Sequence, residues 1–380
     1  MKILFMNDIG VNLDSANLMS FYMLKDYYEY EVWDLSPIFG VTGTIKNIDE
    51  AITINSIDIF KRRLIDCRKC EEIVIITNMV ERPWKKLQAI AQSLKIPVIC
   101  TQKNNFFDIL KAELATDFSI SIPAKKRLGY LILKFSLTRK IYNYLTHRNA
   151  KYDYLISAYN SKPETVKNFV RAHNVKYDEY LQNINSNNIV GEKYILFIDS
   201  SLCYHPIDFK KEDPLFNSDH YIQQLNRYFE KLEKKYNLPV VIALHPVSVE
   251  RLNESDFDGR KLIYGKTTQL IHHAEFVVSH YSTSLINAVL AKKPVSIVSS
   301  REIEGSLRGR QQSWANAFAK MCGFNKDSLD IPVLPKATVD LIKYESFIEK
   351  YLINSECPDT SNAMILLNLL HELENRKTVG

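Results

Sequence analysis

The chain has 380 residues, 46% of them hydrophobic and 24% charged, enough to bury large cores and to form two domains. That charged fraction is the usual level for a soluble protein. A net charge of +5 is too mild to signal nucleic acid, and no such partner is expected. No stretch approaches the roughly 18 consecutive apolar residues of a membrane span.

The opening MKILFMNDIG has one lysine and a short apolar run, so it reads as a first strand rather than an export signal. A cytoplasmic protein is expected. KILFM (2–6) ends in Asn7, Asp8, Ile9 and Gly10, and a helix is predicted near Ser15–Tyr28. EVWDL (31–35) predicts a second strand. EEIVIIT (71–77), a helix over Pro83–Lys95 and IPVIC (96–100) make a strand–helix–strand unit. YDYLISA (152–158) reads as the last strand of this half. Residues 40–70 and basic helices over 105–148 decorate it.

The segment Ala124–Lys151 interleaves lysine and arginine with apolar residues and holds no acidic residue. A basic amphipathic stretch of this kind suits peripheral contact with an anionic membrane, and equally the outer face of a core helix.

A polar linker, Gln182–Gly191, precedes the second half. KYILFID (193–199) opens it, and an amphipathic helix over His220–Tyr236 places Ile222, Leu225, Phe229 and Leu232 on one face. Three strand ends follow, at His245-Pro246, at Gly265-Lys266-Thr267 and at His280-Tyr281-Ser282-Thr283-Ser284. Beyond Ser300 the pattern loosens through RGRQQSWANAFAKM, and two helices are predicted near 339–353 and 361–376. Strands alternating with helices argue for parallel α/β sheets.

The candidate site grows from those ends, because ligands of an open α/β sheet bind at its carboxyl edge. Pro246 stops its strand and leaves His245 extended there; Glu250 could orient that imidazole or bind a ribose. Ser282 and Thr267 suit helix caps, and hydroxyls with free amides also suit a phosphate. Lys266 would supply charge, with Gly265, His280, Thr283 and Ser284 beside it. Asp199, His205 and Asp208 form a second polar group that could line a cleft. In the first half, Asp8 could deprotonate an acceptor hydroxyl, flanked by Asn7 and Gly10.

The Asp256-Phe257-Asp258 spacing used by some metal-dependent enzymes lies in a polar stretch and favours a turn. Cysteines 67, 70, 100, 203, 322 and 357 are scattered, with one close pair at Cys67 and Cys70. Reduced thiols and no structural zinc are expected.

The pieces ILFIDSSLCYHPID, VVIALHP, GRKLIYGKTTQLI and SHYSTSLINAVLAKKPV resemble bacterial surface-polysaccharide glycosyltransferases of the GT-B architecture. The His-Pro pair followed by a serine-rich strand end is similar to polysialyltransferases and capsular ulosonic-acid transferases, and CDP-glycerol glycerophosphotransferases give a looser echo. The likeness covers roughly residues 192–300. It implies two Rossmann-type domains facing each other across a cleft. Residues 1–185 would bind acceptor and 192–340 the nucleotide sugar, with helices in 341–380 crossing back to the first domain.

The resemblance further implies a CMP-linked donor of a sialic, pseudaminic or legionaminic acid or Kdo, no metal, and a glycan or lipid-linked glycan acceptor. His245 would assist nucleotide departure while Ser282 and Ser284 hold the phosphate; Asp8, Asp199 and His205 complete the candidate catalytic set. The acidic Asp/Glu-Asp/Glu-Gly motif of polysialyltransferases is missing from the first half, which argues against a polysialyltransferase proper. A CDP-polyol phosphotransferase, an NDP-hexose transferase and a non-catalytic polysaccharide-assembly protein are the alternatives.

Overall fold

A computed structural model describes residues 1–7, 24–40, 51–77, 82–101, 152–158, 166–204, 215–357 and 360–378. These residues divide into two units: those up to Asp178 together with those from Tyr351 onward, and Glu179–Lys350. Asp8, Gly10, His205, Asp208, most of the helix expected near Ser15–Tyr28 and the basic segment 124–151 lie outside the described residues.

The first unit holds a seven-stranded sheet. Its strands are β1 (Lys2–Asn7), β2 (Glu29–Asp34), β3 (Ile52–Thr53), β4 (Ile73–Thr77), β5 (Val98–Thr101), β6 (Tyr152–Ser157) and β7 (Val166–Arg171). All pair in parallel, in the order β3-β2-β1-β4-β5-β6-β7. The strand 152–158, expected to be the last, is followed by β7. That edge strand, VKNFVR, buries only its first residue fully, so its sequence lacks the apolar run of a central strand.

Side chains alternate between the two faces of this sheet, and both faces are covered. Ile3, Phe5, Val74 and Ile76 pack with Leu366 and Leu370 of the helix Asn362–Thr378. Leu4, Met6, Ile73 and Ile75 pack instead with Phe60 and Leu64 of the helix Ile57–Cys70 and with Trp84 and Leu87 of the helix Arg82–Ser93. Burial on both sides explains why ILFM (3–6) and IVII (73–76) read as unbroken apolar runs.

The second unit repeats the design with β8 (Ile195–Ile198), β9 (Val240–Leu244), β10 (Leu262–Tyr264), β11 (Phe276–Ser279), β12 (Val295–Ser299) and β13 (Asn325–Ser328). Every pairing is parallel and the order is β10-β9-β8-β11-β12-β13. Numbered from its first strand this is 3-2-1-4-5-6, the doubly wound Rossmann order, and the first six strands of the other sheet follow it too. Two Rossmann-type α/β units are therefore the fold.

The helix Ser218–Tyr236 covers one face of this second sheet, burying Tyr221, Leu225, Tyr228, Phe229 and Leu232. It opens on Asn217, whose side chain accepts the N–H of His220, and closes on Asn237 in the left-handed region at φ 52°. RGRQQSWANAFAKM, where the pattern loosens, is also helical, over Gly309–Cys322. Arg308, Gln311 and Gln312 are buried there, and polar residues on an inward face blur the apolar period. Among the described residues no helix is long and apolar enough to cross a membrane.

Candidate functional site

In a 3-2-1-4-5-6 sheet the winding reverses between strands 1 and 4, and the crevice for ligands opens at their carboxyl ends. Here that place lies between β8 and β11. The chain leaves β8 as Asp199-Ser200-Ser201, and the next two strands outward end in His245 and in His280–Ser284.

Asp199 joins the first pair of ends. One carboxylate oxygen accepts the N–H of His245 at 3.2 Å, and the other accepts the N–H of Ser201 at 2.8 Å. Its own N–H reaches the carbonyl of Ala243 at 3.0 Å. Ser200 joins the second pair, donating from Oγ to the Tyr281 carbonyl at 2.6 Å and accepting the Tyr281 N–H at 3.3 Å. Ser201 takes a left-handed φ of 50°, and its hydroxyl accepts from Ser248 Oγ at 3.1 Å. Strain of this kind persists only where surrounding bonds hold it. Asp199, expected as a catalytic group, is buried with both carboxylate oxygens on backbone amides.

His245 caps the short turn Pro246–Ser248, its Nδ1 accepting the N–H of Val247 at 3.2 Å. An imidazole that accepts at Nδ1 carries its proton on Nε2. The ring is half-buried and stands at the sheet edge. Pro246 and Glu250 are exposed, and no hydrogen bond or ion pair joins Glu250 to another described residue. The expected orienting contact from Glu250 to His245 is replaced by the Val247 amide.

His280 departs from expectation. It is 1% exposed, with Nε2 2.8 Å from the Tyr221 hydroxyl and Nδ1 2.6 Å from the Val298 carbonyl. Phe197 meets the ring edge-on at 5.6 Å. Burial pushes its pKa down to about 4, against an opposing pull from the Val298 carbonyl. With both nitrogens engaged inside the core, this histidine braces the strand end and offers no atom to a ligand.

The following hydroxyls are better placed. Ser282 Oγ accepts the N–H of Ser284 at 3.1 Å, so Ser282 forms a turn two residues ahead of the cap of the helix Leu285–Leu290. The cap position belongs to Ser284, whose side chain makes no capping bond. Thr283 and Ser284 are half-buried, and their hydroxyls are engaged by no described residue. After β10 the shift is one residue: Lys266 is the cap, without a side-chain bond, and Thr267 begins the helix Thr267–His273. Gly265 turns the chain there at φ 72°, a conformation that favours glycine. Lys266 is exposed and follows the edge strand, about 14 Å from β11 by strand spacing.

In the first unit, Asn7 ends β1 beside β4, at the corresponding reversal of winding. Among the described residues no three His, Cys, Asp or Glu side chains gather to hold a metal ion. Asp256 is instead half of a capping box, accepting the N–H of Asn253 at 2.8 Å, and Asp258 closes that turn at φ 52°. Sequence reasoning passed over Ser200, Ser201 and Ser248; two serines directly after the apolar run ILFID were the available signal.

No protein-family model matches the chain, and no curated protein matches it significantly. Solved structures similar to it include the UDP-GlcNAc 2-epimerase of Methanocaldococcus jannaschii, at 12% identity and TM-score 0.45 over 98% of this chain and 100% of that one. UGT2 of Phytolacca americana, complexed with UDP-2fluoro-glucose and pterostilbene, gives 10% identity and TM-score 0.47 over 98% and 99%. The wall teichoic acid polymerase TagF gives 12% and 0.49 over 99% and 89%. Likeness at this level decides nothing about substrate, and the fold assignment rests on the strand order of the two sheets.

Proposed function

We propose that the chain is a nucleotide-sugar-dependent glycosyltransferase of GT-B type. It inverts the anomeric centre, needs no metal, and moves a CMP-activated nonulosonic acid onto a bacterial surface glycan. The observation that carries this reading is the edge of the second sheet: Asp199 holds the main chain of His245 on one side, and Ser200 holds the main chain of Tyr281, just ahead of a run of hydroxyls, on the other.

In this mechanism the bond between the anomeric carbon and the CMP phosphate breaks as the acceptor oxygen attacks from the opposite face. His245 Nε2–H donates to the departing phosphate oxygen. Ser282, Thr283 and Ser284 give hydroxyl and amide donors to the same phosphate, stabilising charge that grows in the transition state. The acceptor hydroxyl loses its proton to a base in the first unit, for which Asp8 is the candidate. Charge on the sugar has oxocarbenium character. The basic segment 124–151 would bring the enzyme to a lipid-linked acceptor at the inner face of the membrane.

A thermal-shift screen with CMP, CDP, UDP, GDP and UMP, without added metal, tests the reading, because a ligand bound only to the native state raises the melting temperature. Selective stabilisation by CMP is expected. Preference for UDP or GDP would replace the donor with an NDP-hexose. Preference for CDP would favour polyol-phosphate transfer, and no shift with any nucleotide would overturn the reading.

A further inference from the structure

We propose that Glu179 is a positioning residue for the donor site, an inference that rests on the nucleotide-sugar reading above. Its carboxylate oxygen Oε2 accepts from Asn287 Nδ2 at 3.1 Å and from Thr268 Oγ1 at 3.4 Å. Asn287 closes the triangle by donating its second amide hydrogen to Thr268 Oγ1 at 2.9 Å.

Both partners stand directly behind the candidate phosphate contacts. Thr268 follows Thr267 in the first turn of its helix, and Asn287 lies three residues after Ser284, whose carbonyl accepts the Asn287 N–H at 2.9 Å. One carboxylate therefore clamps the first turns of two helices. The starts of those helices carry Lys266-Thr267 and Thr283-Ser284, and their separation sets where hydroxyls and amides meet a phosphate.

The chemistry of Asn287 points the same way. It is 0% exposed, both its amide hydrogens go to this cluster, and its Oδ1 has no partner. A wholly buried amide with an unmet oxygen is a cost that an apolar side chain of similar size avoids. Bonds to a carboxylate are among the stronger ones available to repay it. The cluster fixes the relation between two helices rather than filling space.

Glu179 also holds a singular place in the chain. It opens the second unit on the helix Val175–Asn183. The preceding residue, Asp178, uses its two oxygens on the N–H groups of Asn362 and Ala363 in the first unit, at 2.8 and 3.2 Å. Beyond Glu179 the chain stays against the helix Thr267–His273. Tyr180 stacks on His272 at 5.0 Å, and Gln269 Nε2 donates to the Asn187 carbonyl at 2.9 Å. Residues 179–187 are thereby tied, through Glu179 above all, to the residues expected to meet the donor phosphate.

The test measures CMP affinity by isothermal titration on the full chain, with melting temperature recorded alongside. Glu179→Ala is expected to weaken CMP on the order of tenfold. Glu179→Gln should stay within about threefold of wild type, because its carbonyl oxygen still accepts from Asn287 and Thr268. The double variant Glu179→Ala/Asn287→Ala should lose less than the product of the single effects. Wild-type affinity in Glu179→Ala overturns the inference, as does equal damage from Gln and Ala. Should Glu179→Ala fail to fold, Thr268→Val decides. That variant removes the hydroxyl at nearly constant volume, and undiminished CMP affinity in it overturns the proposal. A wild-type protein that binds no nucleotide defeats the donor reading itself, whatever the variants do.

Discussion

Asp199 accepts the main-chain N–H of His245 at 3.2 Å while its second oxygen holds the N–H of Ser201 at 2.8 Å. One side chain thus sets the exit direction of two neighbouring strands and the strained backbone of Ser201. Asp199→Asn must turn an NH2 group toward one of those amides. The expected cost is about 1–3 kcal/mol of stability, together with weaker nucleotide binding, measured by urea unfolding and titration.

His245 is expected to act on the leaving group more than on ground-state binding. His245→Ala should cut turnover by about a hundredfold or more, while nucleotide affinity changes far less. A steady-state comparison of kcat with a direct Kd separates the two. An equal loss in both would assign His245 to binding alone.

The buried His280 makes stability depend on pH. Its folded pKa, about 4, lies below the ordinary value near 6.5, so the unfolded chain takes up the proton first. Its contribution is complete above pH 6.5 and is lost as pH falls from there through about 4. The full loss amounts to about 3 kcal/mol. Urea unfolding between pH 7.5 and 4.5 should show this slope, and His280→Gln should flatten it.

Thiol reactivity should divide the cysteines sharply. Burial pushes Cys203 up to about 11 and raises Cys322 further, whereas Cys70 is exposed. The thiolate is the reactive form. A brief iodoacetamide pulse at pH 8 should label Cys70 and spare Cys203 and Cys322 until urea is added, as read by peptide mass spectrometry.

Two glycines separate backbone strain from steric conflict. A Cβ at Gly265 meets nothing within 4 Å, so Gly265→Ala should cost about 1 kcal/mol from φ alone. At Gly323, with φ 71°, a Cβ would sit 2.9 Å from the Asp340 Cβ. Gly323→Ala should therefore destabilise by more, and denaturant midpoints rank the pair.

Central strands were legible because both their faces are covered, which turns ILFM, IVII and VVIAL into unbroken apolar runs. Edge elements were not: β7 and β13 carry polar sequences, VKNFVR and NKDS, and two hydrogen-bonded strand neighbours are invisible in a linear reading. The site was legible as strand ends but not in its division of labour. Ser282 and Thr267 read as caps, yet each true cap lies one or two residues away, because turns after strands obey local hydrogen bonding rather than composition. His280 looked like a ligand group since nothing in SHYST announces Tyr221, 59 residues distant.

The helix Asn362–Thr378 places Leu366, Leu369, Leu370 and Leu373 in the core beneath the first sheet. A ribosome makes the whole second unit, Glu179–Lys350, before that helix exists. Until it emerges, the core around Ile3, Phe5 and Ile76 lacks these four leucines. Synthesis order and folding order are therefore opposed: the half that begins first must finish last.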